Sequence, residues 1–276
     1  MSIIPPALLE RLMDDASQYP PEELPLARAV AAHRELRAGP RTSFVGRFLV
    51  PAGRVAELLA MVRPGESWEL CVIGEPAAVA QALRRAEAVP GVAVTACEVP
   101  ATLAGLPDDA PAFVEPRREA LGRHGLDALL DALATARGAG RAVGAKLRCG
   151  GASAAAFPTR DEVAGFIAGC VARGLPFKAT AGLHHPLPHR DPLTGAEHHG
   201  FLGLWAATAA ARRGAGREEL VAILAAGDPL ETAGVSFDEL GAARALFTGF
   251  GTCSVSEPLE GLEELGLIDR GVAVGG

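Results

Sequence analysis

Residues 141–182 read RAVGAKLRCGGASAAAFPTRDEVAGFIAGCVARGLPFKATAG, and the order of segments within them decides the fold class. RAVGAKLR (141–148) and PFKATAG (176–182) are short apolar runs bounded by Gly and Pro, so they read as strands. The stretch 159–173 between them has helical spacing. A strand, a helix and a second strand imply parallel pairing through a right-handed crossover. The same rhythm continues upstream in SFVGRFLV (43–50), WELCVIG (68–74), VAVTACEV (92–99) and PAFVEP (111–116), and after a longer gap in GTCSV (251–255). Further helices are expected at 6–15, 23–37, 53–63, 77–87, 118–137, 199–213 and 217–226. An eighth strand, needed to close the sheet, is expected at 233–238 or near the N-terminus. The expected architecture is α/β: a (β/α)8 TIM-like barrel with one irregular or missing βα unit. It forms a single domain over 1–276 that includes an N-terminal helical segment, 1–40. An open doubly wound sheet is the alternative. The chain has no GxGxxG after its first strand and no GxxxxGK[ST], which favours the barrel.

Length and composition agree with that class. The 276 residues suit a barrel of roughly 250. The hydrophobic share of 49 % supplies a large core, and a net charge of −7 argues against a nucleic-acid or anionic-membrane surface. Five cysteines without a CxxC pair speak against a disulfide framework and a structural zinc site. The N-terminus turns acidic too early for a signal peptide, and no apolar run approaches the roughly 20 residues of a membrane span. The expected location is the cytoplasm. The expected partner is a small-molecule substrate, with self-association into a homodimer left open.

Strand alternation points to the chemistry. On 141–148, Val143, Ala145 and Leu147 share one face, while Lys146 and Arg148 share the other. On the next strand Phe177, Ala179 and Ala181 form the apolar face, and Lys178, Thr180 and Gly182 the opposite one. The apolar faces belong against helices, so two neighbouring strands aim a lysine into the lumen. Burial and a second cation both lower a lysine pKa, and a free amine attacks carbonyls to form a Schiff base. Glu75, Glu98, Glu115 and Glu257 all sit at expected strand ends, where barrel active sites lie. Glu115 ends a strand one before Lys146 and is the preferred proton-transfer group. Arg148 is positioned to hold an anion, and Arg47 to anchor an anion or pair with one of these acids.

Five of the seven histidines fall between 184 and 199. His185 is assigned a proton-transfer role and His184 a substrate contact. The alternative is a divalent metal held by His184, His185, His198, His199 and Glu257, since imidazole suits zinc and iron. Otherwise no cofactor is expected. Gly150 and Gly151 follow Arg148 and would let backbone N–H groups approach an anion.

Three of these segments resemble deoxyribose-phosphate aldolase, a class I aldolase. GAKLRCGG is similar to that family's Schiff-base strand, FKATAGL to the following strand with its second lysine, and FGTCSV to the last strand, whose end receives a substrate phosphate. The resemblance implies Lys146 as nucleophile, Lys178 as its electrostatic partner and Ser254 as a phosphate contact. Arg148 departs from the small hydroxyl residue the pattern expects. Across most of its length the chain resembles a bacterial family of β/α-barrel-domain proteins with no assigned activity, through LMDDASQYPP, AKLRCGG, PFKATAGLHHPL, HHGFLGL and FGTCSVSEPLEGLEELGLI. That likeness implies only the barrel. The expected function is a lyase or isomerase acting on a small, anionic carbonyl compound. The alternatives are a metal-dependent barrel enzyme and a ligand-binding barrel without turnover.

Overall fold

A computed structural model describes residues 3–121, 124–192 and 195–269. Eight parallel strands close into a barrel: β1 (Met13–Asp15), β2 (Val45–Pro51), β3 (Trp68–Ile73), β4 (Val92–Pro100), β5 (Ala112–Glu115), β6 (Val143–Arg148), β7 (Phe177–Thr180) and β8 (Phe247–Thr252). Each strand pairs with its sequence neighbours, and β1 joins β8 to close the ring. The (β/α)8 reading stands and the open sheet falls.

The eighth strand is β1, near the N-terminus, inside what the sequence suggested was a helix over 6–15. Only Pro6–Leu9 is helical, and Arg11 at φ 53° turns the chain out of that helix. Residues 13–15 then extend, all buried between β2 and β8. The other candidate, 233–238, is the link between two helices, Pro229–Ala233 and Phe237–Ala243. The last strand also starts earlier than expected, at Phe247, because its glycines mask the apolar pattern.

Alternation divides the interior in two. Phe48, Val50, Leu70, Val72, Cys97, Val99, Ala112, Val114, Val143, Ala145, Leu147, Phe177 and Ala179 face the helices in one large core. The intervening residues Ala16, Leu49, Cys71, Ala96 and Phe113 form a separate buried cluster, the lumen, with Tyr19 and Ile73 packed against it.

The long β7–β8 connection is the irregular unit. It carries a short antiparallel ribbon, His189–Arg190 with Glu197–His198, and then helix Phe201–Arg212. Residues 201–210 of that helix are all buried, because its inner side packs on β8 (Phe201 stacks on Phe250 at 4.7 Å) and helices Arg217–Ala225, Pro229–Ala233 and Phe237–Ala243 cover its outer side. A helix apolar all round needs partners all round. Among the described residues, no helix is long and apolar enough to cross a membrane.

Candidate active site

Parallel register sets the two lysines side by side, with Lys146 on β6 opposite Lys178 on β7. Both ammonium groups point into the lumen and are almost wholly buried, at 3 % and 1 % exposure. Glu98, on β4 across the lumen, is also buried and serves both. Its Oε1 lies 2.5 Å from Lys178 Nζ, and its Oε2 pairs with Lys146 Nζ. Lys178 donates a second bond to Asp14 Oδ2 at 2.6 Å. Lys146 Nζ lies 2.8 Å from Glu115 Oε2, and Arg148 donates from Nε to Glu115 Oε1 at 2.6 Å.

On the other side of Lys178, Asp14 accepts the Arg47 backbone N–H at 2.7 Å, and the Arg47 guanidinium stands 3.6 Å from its Oδ2. Arg47 Nε is spent on Thr95 Oγ1 at 3.0 Å, so this arginine pairs with an acid of the lumen. An alternating chain results: Arg47, Asp14, Lys178, Glu98, Lys146, Glu115, Arg148. With every member ionised, four cations face three anions, leaving one surplus positive charge. Exposure rises toward the Arg148 end, where Glu115 is 20 % and Arg148 48 % exposed. The other end, at Arg47, is 23 % exposed, so the Arg148 end is the more open of the two.

The electrostatics reverse one expectation. Burial by itself would lower both lysines, but Glu98 and Glu115 around Lys146, and Asp14 and Glu98 around Lys178, raise both above the ordinary lysine value. Burial pushes Glu98 up, and the two ammonium groups overcome it, holding this carboxyl well below the usual range. Glu115 is half-buried, which pushes it up, yet it is likewise held low, by Lys146 and then Arg148. The second lysine does not free the first, because a carboxylate stands between them.

Sequence reasoning missed Asp14, hidden in the presumed helix, and passed over Glu98 in favour of Glu115. It also missed Cys71, whose thiol lies 3.5 Å from Glu98 Oε1 and 3.9 Å from Lys178 Nζ, and Tyr19, whose buried hydroxyl has no hydrogen-bond partner. The neighbouring Asp15 turns outward and bonds His33 Nδ1 at 2.9 Å, with His33 stacked on Trp68, tying helix Leu26–Ala38 to the barrel.

The histidines do not join the lysines. His185 is exposed and packs edge-on against His189 at 4.6 Å, away from the lumen chain. His184 bonds Glu257 Oε2 through Nδ1 at 2.7 Å. The Cys253 sulfur lies 3.8 and 3.7 Å from the two nitrogens of His184, a near-equal spacing that sets it across the ring instead of in line with a lone pair. His199 Nε2 is bound to Pro158 O at 2.7 Å, and His198 stacks between His189 and Phe157. His198 lies in the ribbon and helix 201–212 starts after His199, so neither residue opens that helix. The rings of His185, His189 and His198 pack in a row, 4.6 and 4.7 Å apart. Among the described residues, no three His, Cys, Asp or Glu side chains are grouped to hold a metal ion.

Ser254 lies outside the ion-pair chain. It lines a cavity of about 590 Å³ between helices Leu26–Ala38 and Ser256–Glu264, and its Oγ accepts the Glu257 N–H at 3.4 Å. Gly150 is explained by packing: a side chain there would meet Gly182 and the Phe157 ring. At Gly151 a side chain would meet Ala156. In comparisons with known proteins, the chain matches no family model, no curated protein and no solved structure. The class that fold and site define is therefore a (β/α)8 barrel with a charged, partly open lumen.

Proposed function

We propose that this barrel is an aldolase-like lyase or isomerase of small anionic carbonyl compounds, with Lys146 as the group that attacks the carbonyl. One observation carries the reading: the Lys146 amine sits between two carboxylates able to take its proton, one strand position below a half-exposed guanidinium. At rest Lys146 is an ammonium and does not react. An incoming anion is attracted to Arg148 and competes there with Glu115. Once Glu115 loses the guanidinium that helps hold its carboxyl low, it becomes the better base and accepts the Lys146 proton.

The amine nitrogen then attacks the carbonyl carbon, and the oxygen leaves as water after taking protons from the nitrogen and from Glu115. The resulting iminium draws electrons from the adjacent carbon–carbon or carbon–hydrogen bond. Lys178, locked between Asp14 and Glu98, holds Glu98 ionised and in place. Substrate thus creates its own nucleophile.

Borohydride reduction in the presence of pyruvate, glyoxylate or glyceraldehyde 3-phosphate, followed by peptide mass spectrometry, should leave the adduct on Lys146. Because the proton passes within the site from Lys146 to Glu115, trapping should proceed at pH 7, well below the raised Lys146 pKa. Trapping that appears only above pH 9, or an adduct on another lysine, would refute the mechanism.

A further inference from the structure

The upper lumen holds a hydroxyl that this chemistry leaves unused. Tyr19 follows β1, and its loop is fixed by backbone bonds: its N–H donates to Ala16 O at 2.8 Å, and its carbonyl accepts from Glu23 N–H at 3.1 Å. Beside it, Gln18 Nε2 donates to Leu49 O at 2.9 Å, fastening the loop to the barrel rim. The ring packs onto the luminal residues Ala16, Leu49, Cys71, Ala96 and Phe113. It therefore roofs the same chamber whose floor is Lys178, Glu98 and Lys146. The hydroxyl is buried and bonds to nothing. Buried hydroxyls in folded proteins nearly always find partners, and an orphan beside a charged site calls for an explanation.

We infer that Tyr19 is a second substrate-binding group of this site, its phenol donating a hydrogen bond to an oxygen on or next to the carbonyl carbon that meets Lys146. The inference rests on the Lys146 reading and deepens it: the substrate class narrows to carbonyl compounds oxygenated at or beside the reacting carbon. The carboxylates of the lumen are already engaged by cations, so a ligand oxygen is the acceptor that the empty side of the phenol fits. Burial, then Glu98 and Cys71, raise the Tyr19 pKa against the opposing pull of Lys178 and Arg148, so the phenol keeps its proton and acts as a donor, never as a base. An aldehyde with no neighbouring oxygen leaves this donor unmatched once its carbonyl oxygen has departed as water.

Tyr19 is the sole tyrosine of the chain, which makes the test clean. Protein labelled with ¹³Cζ-tyrosine gives one resonance, to be followed while pyruvate, glyoxylate or glyceraldehyde 3-phosphate is added. The expected result is a shift of that resonance with the probe that borohydride traps on Lys146. Tyr19→Phe should keep the ring packing, melt at a higher temperature because the orphan hydroxyl is gone, and slow trapping about tenfold or more. Trapping at Lys146 with an unmoved tyrosine resonance and an unchanged rate in Tyr19→Phe overturns the tyrosine assignment and leaves the lysine chemistry intact. No adduct with any of the three probes in the wild-type protein overturns both.

Discussion

Replacing Glu98 with Gln should cost stability at neutral pH and cost less of it as pH rises. In the wild-type chain this carboxylate is the shared counter-ion of two buried ammonium groups. Removing one partner of a buried ion pair costs about 3–5 kcal/mol, because the partner left behind is an uncompensated charge. Glu98 serves two lysines, but Lys146 keeps Glu115 and Lys178 keeps Asp14, so the loss stays near about 3–5 kcal/mol instead of doubling. Against a total stability of about 5–15 kcal/mol, the variant still folds at pH 7, weakly.

The sign of its pH dependence carries more information than its size. In the wild type both lysine values are raised by folding, so the stability they contribute is complete below the unfolded lysine pKa of about 10.4 and is lost as pH climbs through the folded values. Glu98 and Glu115 are lowered, so their contribution is present above about pH 4.3 and is lost on acidification. These four groups leave stability level from about pH 6 to 9. Within that range His189, His198 and His199, with lowered values, subtract on acidification, and the buried cysteines, with raised values, subtract above the unfolded thiol pKa of about 8.5. In Glu98→Gln, Lys146 keeps only a carboxylate it shares with Arg148, and burial wins: its folded pKa drops below the unfolded value. At this lysine the unfolded chain then binds more protons, so the deficit of the variant against the wild type shrinks as pH rises from 7 to 10. Urea denaturation followed through Trp68 and Trp205 fluorescence at pH 7, 8.5 and 9.5 reads both quantities. A variant that loses less than about 1 kcal/mol at pH 7 and keeps a constant difference from the wild type up to pH 9 would show that Glu98 does not hold the lysines in the charged state.

Two further outcomes follow from the same geometry. Arg148→Gln should weaken binding of anionic probes tenfold to about a hundredfold, the worth of one charged hydrogen bond, while costing less than about 1 kcal/mol of stability because the guanidinium is half exposed; isothermal titration with glyceraldehyde 3-phosphate beside a urea melt checks both. Excess chelator should leave the melting temperature unchanged in differential scanning fluorimetry, since His184 and His199 are bonded to Glu257 and Pro158 and, among the described residues, no triad of ligands converges.

How much of this is legible in the sequence differs from element to element. The strand parity of VGAKLR and FKAT placed Val143, Ala145, Leu147, Phe177 and Ala179 against the helices and both lysines in the lumen, as observed, because a parallel strand with apolar neighbours has one admissible rotation. The same parity places Glu98 opposite Cys97 and Val99, so this residue could have been found by extending the argument to β4. Asp14 could not. A three-residue strand written Met-Asp-Asp, next to PALLERL, carries a helical pattern, and only its position between β2 and β8 makes it a strand. The histidine concentration is spatial only in part: His185, His189 and His198 pack ring to ring, while His184 and His199 are bonded to Glu257 and Pro158, a division that nearness in sequence within an irregular ribbon does not show.

The reversed charge state follows from that asymmetry. Two lysines seen without their acids read as mutually repelling amines, one of them driven neutral. With Asp14 and Glu98 in place they become links in a chain of opposite charges, each stabilised by both neighbours. Such a chain is inert as long as every link is matched. Its accessible links are the two ends, Glu115–Arg148 and Arg47–Asp14, of which the first is the more open with Arg148 48 % and Arg47 23 % exposed, while both lysines between them are buried. On the proposed function, a charged ligand arriving at Arg148 takes the guanidinium from Glu115 and leaves that carboxylate with the Lys146 ammonium as its partner. On that proposal the ion pairs couple arrival of an anion at the rim to release of an amine one layer below.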